Sequence, residues 1–402
     1  MQRVKYLERT GFLMTPGPTE ISTRVLAAQV MPAIEPGDPS FVRVMDETGE
    51  LLKRVFQTRK DVVFFPGSGR VTIESALASV IERGDKVLAL VNGIFGKWLK
   101  ETAERLGASV VELAADWRGA FDPSEVERKL DQERDVKLVG LVHNETCTGV
   151  RNPVAEIGKI VKKKGALYLV DAVSSIGGDD VRTDDWNIDL SCTGSYKCLN
   201  APPGLSIVSI SEDAWKTMEK RRNLASTFSF DLYKWRQMWI PKEKGGKLIH
   251  GYRRHPIEPA PHLTYALNQA VKEILEEGVH ERFRKNAVAG RAIRSAVRAL
   301  GLELYPRQEE YASNTITAVM NPERIANSDI LATMRDKYGV IVGGGVEEVH
   351  GKVIRLAHMS LTSQPMYVLQ AVRALGDTLS DLGLPLNVND ALGSARDAFR
   401  VS

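Results

Sequence analysis

Lys197 stands in the stretch Thr193-Gly194-Ser195-Tyr196-Lys197-Cys198-Leu199-Asn200-Ala201-Pro202-Pro203-Gly204, between an apolar run and a turn stiffened by two prolines. Proline fixes backbone angles and ends regular structure, so such a loop holds an amine in one place. A lysine held at a strand end and partly desolvated has a depressed pKa, which makes it a nucleophile toward an aldehyde and a Schiff-base candidate. Asp171 lies 26 positions earlier, directly after Leu167-Tyr168-Leu169-Val170. A carboxylate at the tip of a hydrophobic strand is costly unless paired, so a buried cationic partner is expected. Pro66-Gly67-Ser68-Gly69-Arg70 leads into a helical stretch from Val71. Small residues at a helix start expose amide N–H groups and the positive dipole end, which suits a phosphate; they also make a plain turn. The GK[ST] of a nucleotide P-loop is absent. Phe95, in Asn92-Gly93-Ile94-Phe95-Gly96, could stack on a flat heterocycle or fill a core, and His143-Asn144-Glu145-Thr146-Cys147-Thr148-Gly149 offers hydroxyl donors or reads as an ordinary polar loop.

The elements that must position these residues are β-runs alternating with helical stretches. The runs are Val62–Phe65, Lys86–Val91, Val110–Leu113, Lys137–Val142, Leu167–Val170, Leu190–Cys192 and Leu205–Ile210. Several are apolar without alternation, as in strands covered on both faces, and helices between them predict a mainly parallel sheet. Ligands of such sheets bind beyond the carboxyl ends of the strands, where all the residues above fall. A helix is predicted from Arg43 to Phe56, and a long one from about His262 to Leu300 with Gly301 as its stop. The last third, with Thr315–Val319, a helix Ser328–Tyr338, Gly339–Val342, Val353–Leu356 and a helix Pro365–Leu382, reads as a smaller α/β domain.

Composition narrows the classes. The chain has 402 residues, 43% hydrophobic, with formal net charge +3, too long for one minimal core. Its longest basic run, Lys162-Lys163-Lys164, reads as a solvated helix end, so no nucleic-acid partner is expected. Cys147, Cys192 and Cys198 lack CxxC spacing, no metal site is expected, and the charged Met1–Arg9 segment and the absence of long apolar runs predict a cytoplasmic protein without a membrane span.

A phosphate cradle, an aromatic plate, an anion facing a ring cation and a fixed amine are together the requirements of pyridoxal 5'-phosphate. The chain resembles the class V aminotransferases of the fold type I pyridoxal-phosphate enzymes over roughly residues 10–380, nearest the alanine/serine–glyoxylate group. The motifs that carry the likeness are Thr15-Pro16-Gly17-Pro18, Gly67-Ser68-Gly69, Asp171-Ala172-Val173-Ser174-Ser175-Ile176-Gly177-Gly178 and Lys197-Cys198-Leu199-Asn200-Ala201-Pro202-Pro203-Gly204.

The resemblance implies an α/β fold: a mainly parallel seven-stranded sheet in a large domain (23–258), an N-terminal arm (1–22), a smaller C-terminal α/β domain (259–385) and a tail (386–402). It implies Lys197 as the internal aldimine and proton shuttle, Asp171 on the pyridine nitrogen, and Ser68, Gly69 and Arg70 at the phosphate. Phe95 would stack on the ring, Val173 would cover its other face, Thr146 would place a hydroxyl beside the ring oxygen, and Arg355 and Gly17 would meet the substrate, the arginine clamping its carboxylate. Tyr196 stands where a glutamine commonly lies beside the phosphate. Glu258 replaces a threonine usually lent by the neighbouring subunit, which calls for a cation such as Arg70, Arg253 or Arg254.

The implied activity is ping-pong transfer of an amino group from a small amino acid to glyoxylate or pyruvate, in a homodimer with its site at the subunit interface. Ureidoglycine–glyoxylate, pyridoxamine–pyruvate and aminophosphonate transaminases are the alternatives. The first carries a glutamine at the position of Pro36; the second carries a glutamate at Ser68 and an arginine at Val346. A desulfurase would need a cysteine on a small-domain loop, and none follows Cys198.

Overall fold

Apolar runs that can be covered on both faces become the interior strands of the protein, and the computed structural model shows how they order. It describes residues 11–400, so the Met1–Arg9 segment lies outside the described residues. In chain order the strands are β1 (Phe12–Met14), β2 (Asp61–Pro66), β3 (Lys86–Val91), β4 (Ser109–Ala114), β5 (Val136–Val142), β6 (Asn144–Glu145), β7 (Val150–Arg151), β8 (Leu167–Asp171), β9 (Leu190–Gly194), β10 (Leu205–Ile210), β11 (Ile316–Met320), β12 (Val340–Gly344) and β13 (Val353–Ala357).

Seven of them make one sheet in the order β2-β10-β9-β8-β5-β3-β4. Only β10 runs against its neighbours, pairing antiparallel with β2 and β9, while β8 pairs parallel with β5 and β9. The mainly parallel seven-stranded α/β sheet is therefore present. Every residue of β8, β9 and β10 is buried, which explains why those runs show no polar alternation.

A second sheet, β1-β12-β13-β11, serves the small domain. Its edge strand β1 comes from the N-terminal arm and pairs parallel with β12, Met14 opposite Val342. The chain between β1 and the first helix is thereby tied at one end to the small domain and can cross the face of the large one.

Helix ends explain two departures from the sequence pattern. The helix expected from Arg43 begins at Pro39, because Asp38 accepts the Ser40 N–H at 2.7 Å and proline is preorganised for the first turn. The single helix expected from His262 to Leu300 is two, Pro261–Glu277 and Val279–Ala299. Gly278 separates them with φ 90° and ψ 126°, a conformation that carries no helix. Ala266, Leu267, Ala270, Val271 and Ile274 of the first helix are buried in the large core, whereas Ala289, Ala292, Ile293, Ala296 and Val297 of the second are buried in the small one. The change of core thus comes one helix after residue 259. The segment expected as a tail carries the helix Val388–Arg400, whose Ala391, Leu392 and Ala395 pack in the small core.

Candidate active site

The carboxyl ends of the parallel strands open on a cavity of ≈ 560 Å³. Ser68, Gly69, Arg70, Phe95, Thr146, Asp171, Val173, Tyr196 and Lys197 all line it. These residues come from five separate chain segments, following β2, β3, β5, β8 and β9. A doubly wound sheet brings such segments to one rim.

Lys197 is 8% exposed and its Nζ donates to the Pro16 carbonyl. Burial, with the nearby Arg355 charge, pushes its pKa down to about 8. Its loop is pinned from several sides. Thr19 Oγ1 donates to the Lys197 carbonyl at 3.0 Å, Asn200 N–H donates to the same carbonyl at 3.0 Å, and Ser195 Oγ donates to the Pro202 carbonyl at 2.5 Å. Asn200 sits at φ 52° and donates through Nδ2 to the Glu20 carbonyl at 2.8 Å, so the N-terminal segment and the lysine loop hold each other.

Asp171 ends β8 and is 8% exposed. Burial raises its carboxyl to about 6, partly offset by the Val173 N–H, which donates to Oδ1 at 3.0 Å, and by the Lys197 charge. It has no ion-pair partner among the described residues, so a cation brought from outside would relieve it.

On the small-domain side Arg355 is 7% exposed; Nε donates to the Gly344 carbonyl at 2.7 Å and Nη1 to the Thr146 carbonyl at 3.2 Å. It stands behind Thr146 and is not part of the cavity wall. Gly17 is likewise off the wall but against Lys197.

Residues 26–347 match the family model of the class V aminotransferases. The chain belongs to that family.

Among relatives of this class V aminotransferase, an uncharacterized aminotransferase of Methanocaldococcus jannaschii is 37% identical, over 92% of this chain and 93% of its own. The serine–glyoxylate aminotransferase of Methylorubrum extorquens is 32% identical, over 96% of each chain. The crystal structure of ureidoglycine–glyoxylate aminotransferase from Bacillus subtilis superposes with a TM-score of 0.91 at 31% identity, covering 99% of this chain and 100% of that one. The fold is accordingly that of the fold type I aminotransferases.

Tyr196, at the end of the cavity where the helix Gly69–Val80 begins, has a definite partner in this aminotransferase. Its hydroxyl accepts the Gly69 N–H at 3.2 Å, which leaves its own proton available to an anion. Ser68 caps the helix Gly69–Val80, accepting the Val71 N–H at 3.4 Å, and a Cβ on Gly69 would lie 2.6 Å from Val173 Cγ2. Arg70 lays its guanidinium over the Trp98 ring, 3.9 Å from the centroid. Arg253, considered as the cation for Glu258, is committed to Asp46 at 2.8 and 2.6 Å, and Glu258 is exposed on this chain.

Sequence reasoning passed over several neighbours. Asn144 and Ser174 line the cavity, and Ser174 Oγ lies 2.5 Å from Thr146 Oγ1. Asn144 Nδ2 donates to the Ser174 carbonyl at 3.0 Å and to Thr315 Oγ1 at 2.6 Å, leaving its buried Oδ1 without a protein donor. Trp98, three positions after Phe95 on the helix Ile94–Arg105, packs edge-on against it at 5.2 Å. The i, i+3 spacing could have exposed Trp98. Asn144 carried no signal, because its importance lies in which of its atoms is left unpaired.

Gly17 gives a direct test of the lysine's seat. A Cβ there would lie 2.7, 2.8 and 2.9 Å from Lys197 Cε, Cδ and Nζ, at φ 137°, which side chains rarely adopt. Gly17→Ala is expected to lower kcat/KM about 100-fold, the scale of an ångström-sized misplacement of a reacting group. The check is steady-state kinetics together with a circular dichroism spectrum showing the fold retained.

Proposed function

We propose that the protein is a pyridoxal 5'-phosphate-dependent aminotransferase that moves an amino group from a small amino acid, of alanine or serine type, to a small 2-oxo acid, glyoxylate or pyruvate. The observation that carries this reading is the meeting of Lys197 Nζ and the unpaired Asp171 carboxylate on one cavity wall, with Arg355 behind Thr146.

The residues present fit the cofactor. Asp171 is a buried carboxylate in need of a cation, Asn144 Oδ1 is a buried acceptor in need of a donor, and Ser68, Gly69 and Tyr196 gather hydroxyl and amide groups where a helix begins. When bound, pyridoxal phosphate supplies an aldehyde and an electron-withdrawing pyridine ring. Asp171 keeps a proton on the ring nitrogen. Phe95 and Val173 confine the ring between them. Lys197 Nζ, lowered toward neutrality by its burial, would hold the cofactor through its aldehyde carbon with loss of water, and is placed to serve as the base for the proton on the α-carbon of the amino donor. Arg355, whose Nε and Nη1 are held by the Gly344 and Thr146 carbonyls, would bind the substrate carboxylate through Nη2. Because both half-reactions use this one site, ping-pong kinetics follow.

The preference for small substrates rests on the likeness to the alanine/serine–glyoxylate group, and the backbone beside Arg355 is closely packed. A Cβ on Gly343 would already lie 2.6 Å from Pro16 Cδ and 3.6 Å from Arg355 Nε. Homodimeric assembly is supported by exposed apolar side chains that need cover, among them Val30 (83% exposed), Leu224 (93%) and Phe228 (71%). No helix among the described residues is long and apolar enough to cross a membrane, and all three cysteines are free and buried, which supports a cytoplasmic setting.

A screen of amino donors against 2-oxo acids tests the substrate assignment. Turnover should be highest for alanine or serine with glyoxylate or pyruvate. Activity confined to dicarboxylic substrates would overturn the assignment while leaving the family intact.

A further inference from the structure

Glu145 is fully buried, yet none of the roles described above falls to it. Its Oε2 accepts the N–H groups of Phe95 at 3.1 Å and Gly96 at 3.2 Å, and its Oε1 accepts the Cys147 N–H at 3.3 Å. Burial pushes the carboxyl up to about 7 against the pull of these three donors.

The first two bonds do the work of a helix cap. The helix Ile94–Arg105 starts after Gly93, which has no side chain to cap it, and the first amides of a helix need a partner. A Cβ on Gly93 would lie 2.2 Å from Glu145 Cγ, so the carboxylate of a distant segment occupies the space a local cap would fill. A local serine or aspartate would have capped the helix more simply. What the distant residue adds is a connection. The helix carries Phe95, whereas the loop after Glu145 carries Thr146, whose carbonyl receives Arg355 Nη1.

We propose that Glu145 is a positioning residue whose carboxylate locks the helix bearing Phe95 to the loop that seats Arg355, so that the cofactor ring and the substrate carboxylate are set in one frame. This rests on the reading of the cavity as a pyridoxal-phosphate site. The two ends of the lock can be released separately. In Glu145→Gln the amide oxygen can still accept from Phe95 and Gly96, but the amide NH₂ faces the Cys147 N–H and that bond is lost.

The test measures cofactor dissociation constant, visible circular dichroism of the bound cofactor, melting temperature, and KM and kcat for alanine in Glu145→Gln, Glu145→Ala and the double variant Gly93→Ser/Glu145→Ala. Glu145→Gln should leave the cofactor signals as in the wild type and raise the KM for alanine about tenfold with little change in kcat, the scale of one buried hydrogen bond to a charged group. Glu145→Ala should also weaken cofactor binding about tenfold and diminish its circular dichroism. The double variant, with a serine cap in extended backbone at position 93, should regain the melting temperature but not the KM.

Recovery of KM and melting temperature together in the double variant would reduce Glu145 to a cap and overturn the proposal, as would unchanged KM in Glu145→Gln, which decides the matter should Glu145→Ala fail to fold. A wild type that binds no pyridoxal phosphate would instead sink the cofactor reading. In that case amide hydrogen exchange still decides the lock: Glu145→Gln should speed exchange at Cys147 while sparing Phe95 and Gly96, and equal protection at all three would overturn it.

Discussion

Replacing Lys197 by alanine is expected to lower kcat by at least about 10⁴-fold, because in the proposed reading one side chain supplies both the covalent bond to the cofactor and the proton transfer at the substrate α-carbon. General acid–base catalysis alone is worth about 10² to 10⁴. Lys197→Arg should be equally inactive despite keeping the charge, since a guanidinium does not give up its proton in this range. The variants should still fold, because among the described residues Nζ donates only to the Pro16 carbonyl and the loop is otherwise held by Thr19, Asn200 and Ser195. Stopped-flow mixing of cofactor-free wild type with pyridoxal phosphate adds a pH test. Burial lowers Lys197 to about 8, and only the neutral amine attacks. The rate of colour formation should therefore rise with pH and level off above about 8. A rise centred on the ordinary lysine value of 10.5 would contradict the seat described for this amine.

The second large effect is expected at Asp171. Asp171→Asn removes the anion that, in the proposed reading, holds a proton on the ring nitrogen while keeping the side-chain shape. Breaking one side of a buried ion pair costs about 3–5 kcal/mol, so kcat should fall roughly 10² to 10⁴-fold, with weaker cofactor binding. Linkage gives the same residue a signature independent of turnover. In the cofactor-free protein Asp171 is raised to about 6 from 3.8, so the native state holds its proton more tightly than the unfolded chain. This contribution favours folding at low pH and is lost as pH rises through about 6. A bound pyridinium cation removes that loss. The stabilisation conferred by the cofactor should thus grow between about pH 4 and 6 in the wild type, and that growth should be absent in Asp171→Asn. Thermal melts with and without cofactor measure it.

The residues whose neighbours are near in sequence or fixed by strand-end placement were legible from the chain alone. Asp171 announces itself because a carboxylate after four apolar residues must be paired, and Lys197 because prolines follow it. Phe95, Ser68 and Thr146 were ambiguous one by one and became coherent only as a set at the ends of parallel strands.

What could not be read depends on burial and on contacts between distant segments. Glu145 looks like any loop carboxylate until the structure places it beneath the helix of Phe95, where Gly93 leaves it room. The break at Gly278 is hidden because apolar periodicity continues on both sides while the two helices serve different cores. The helix Val388–Arg400 follows the short segment Gly383–Asn387, broken by Gly383 and Pro385, and packing against the helices Val279–Ala299 and Pro365–Asp381 joins it to the small core. Tyr196, a departure from the family pattern by sequence, brings a hydroxyl to the Gly69 N–H and so remains a polar group at the start of the helix Gly69–Val80.

The most direct test of the aminotransferase reading is a half-reaction without acceptor. Purified protein loaded with pyridoxal phosphate is mixed with excess L-alanine, and the visible band, pyruvate and ammonia are followed together. The expected result is loss of the band with release of one pyruvate per Lys197 site, no ammonia, and return of the band on adding glyoxylate. Continuing release of ammonia, or a band that alanine leaves untouched while the protein remains loaded, would contradict it.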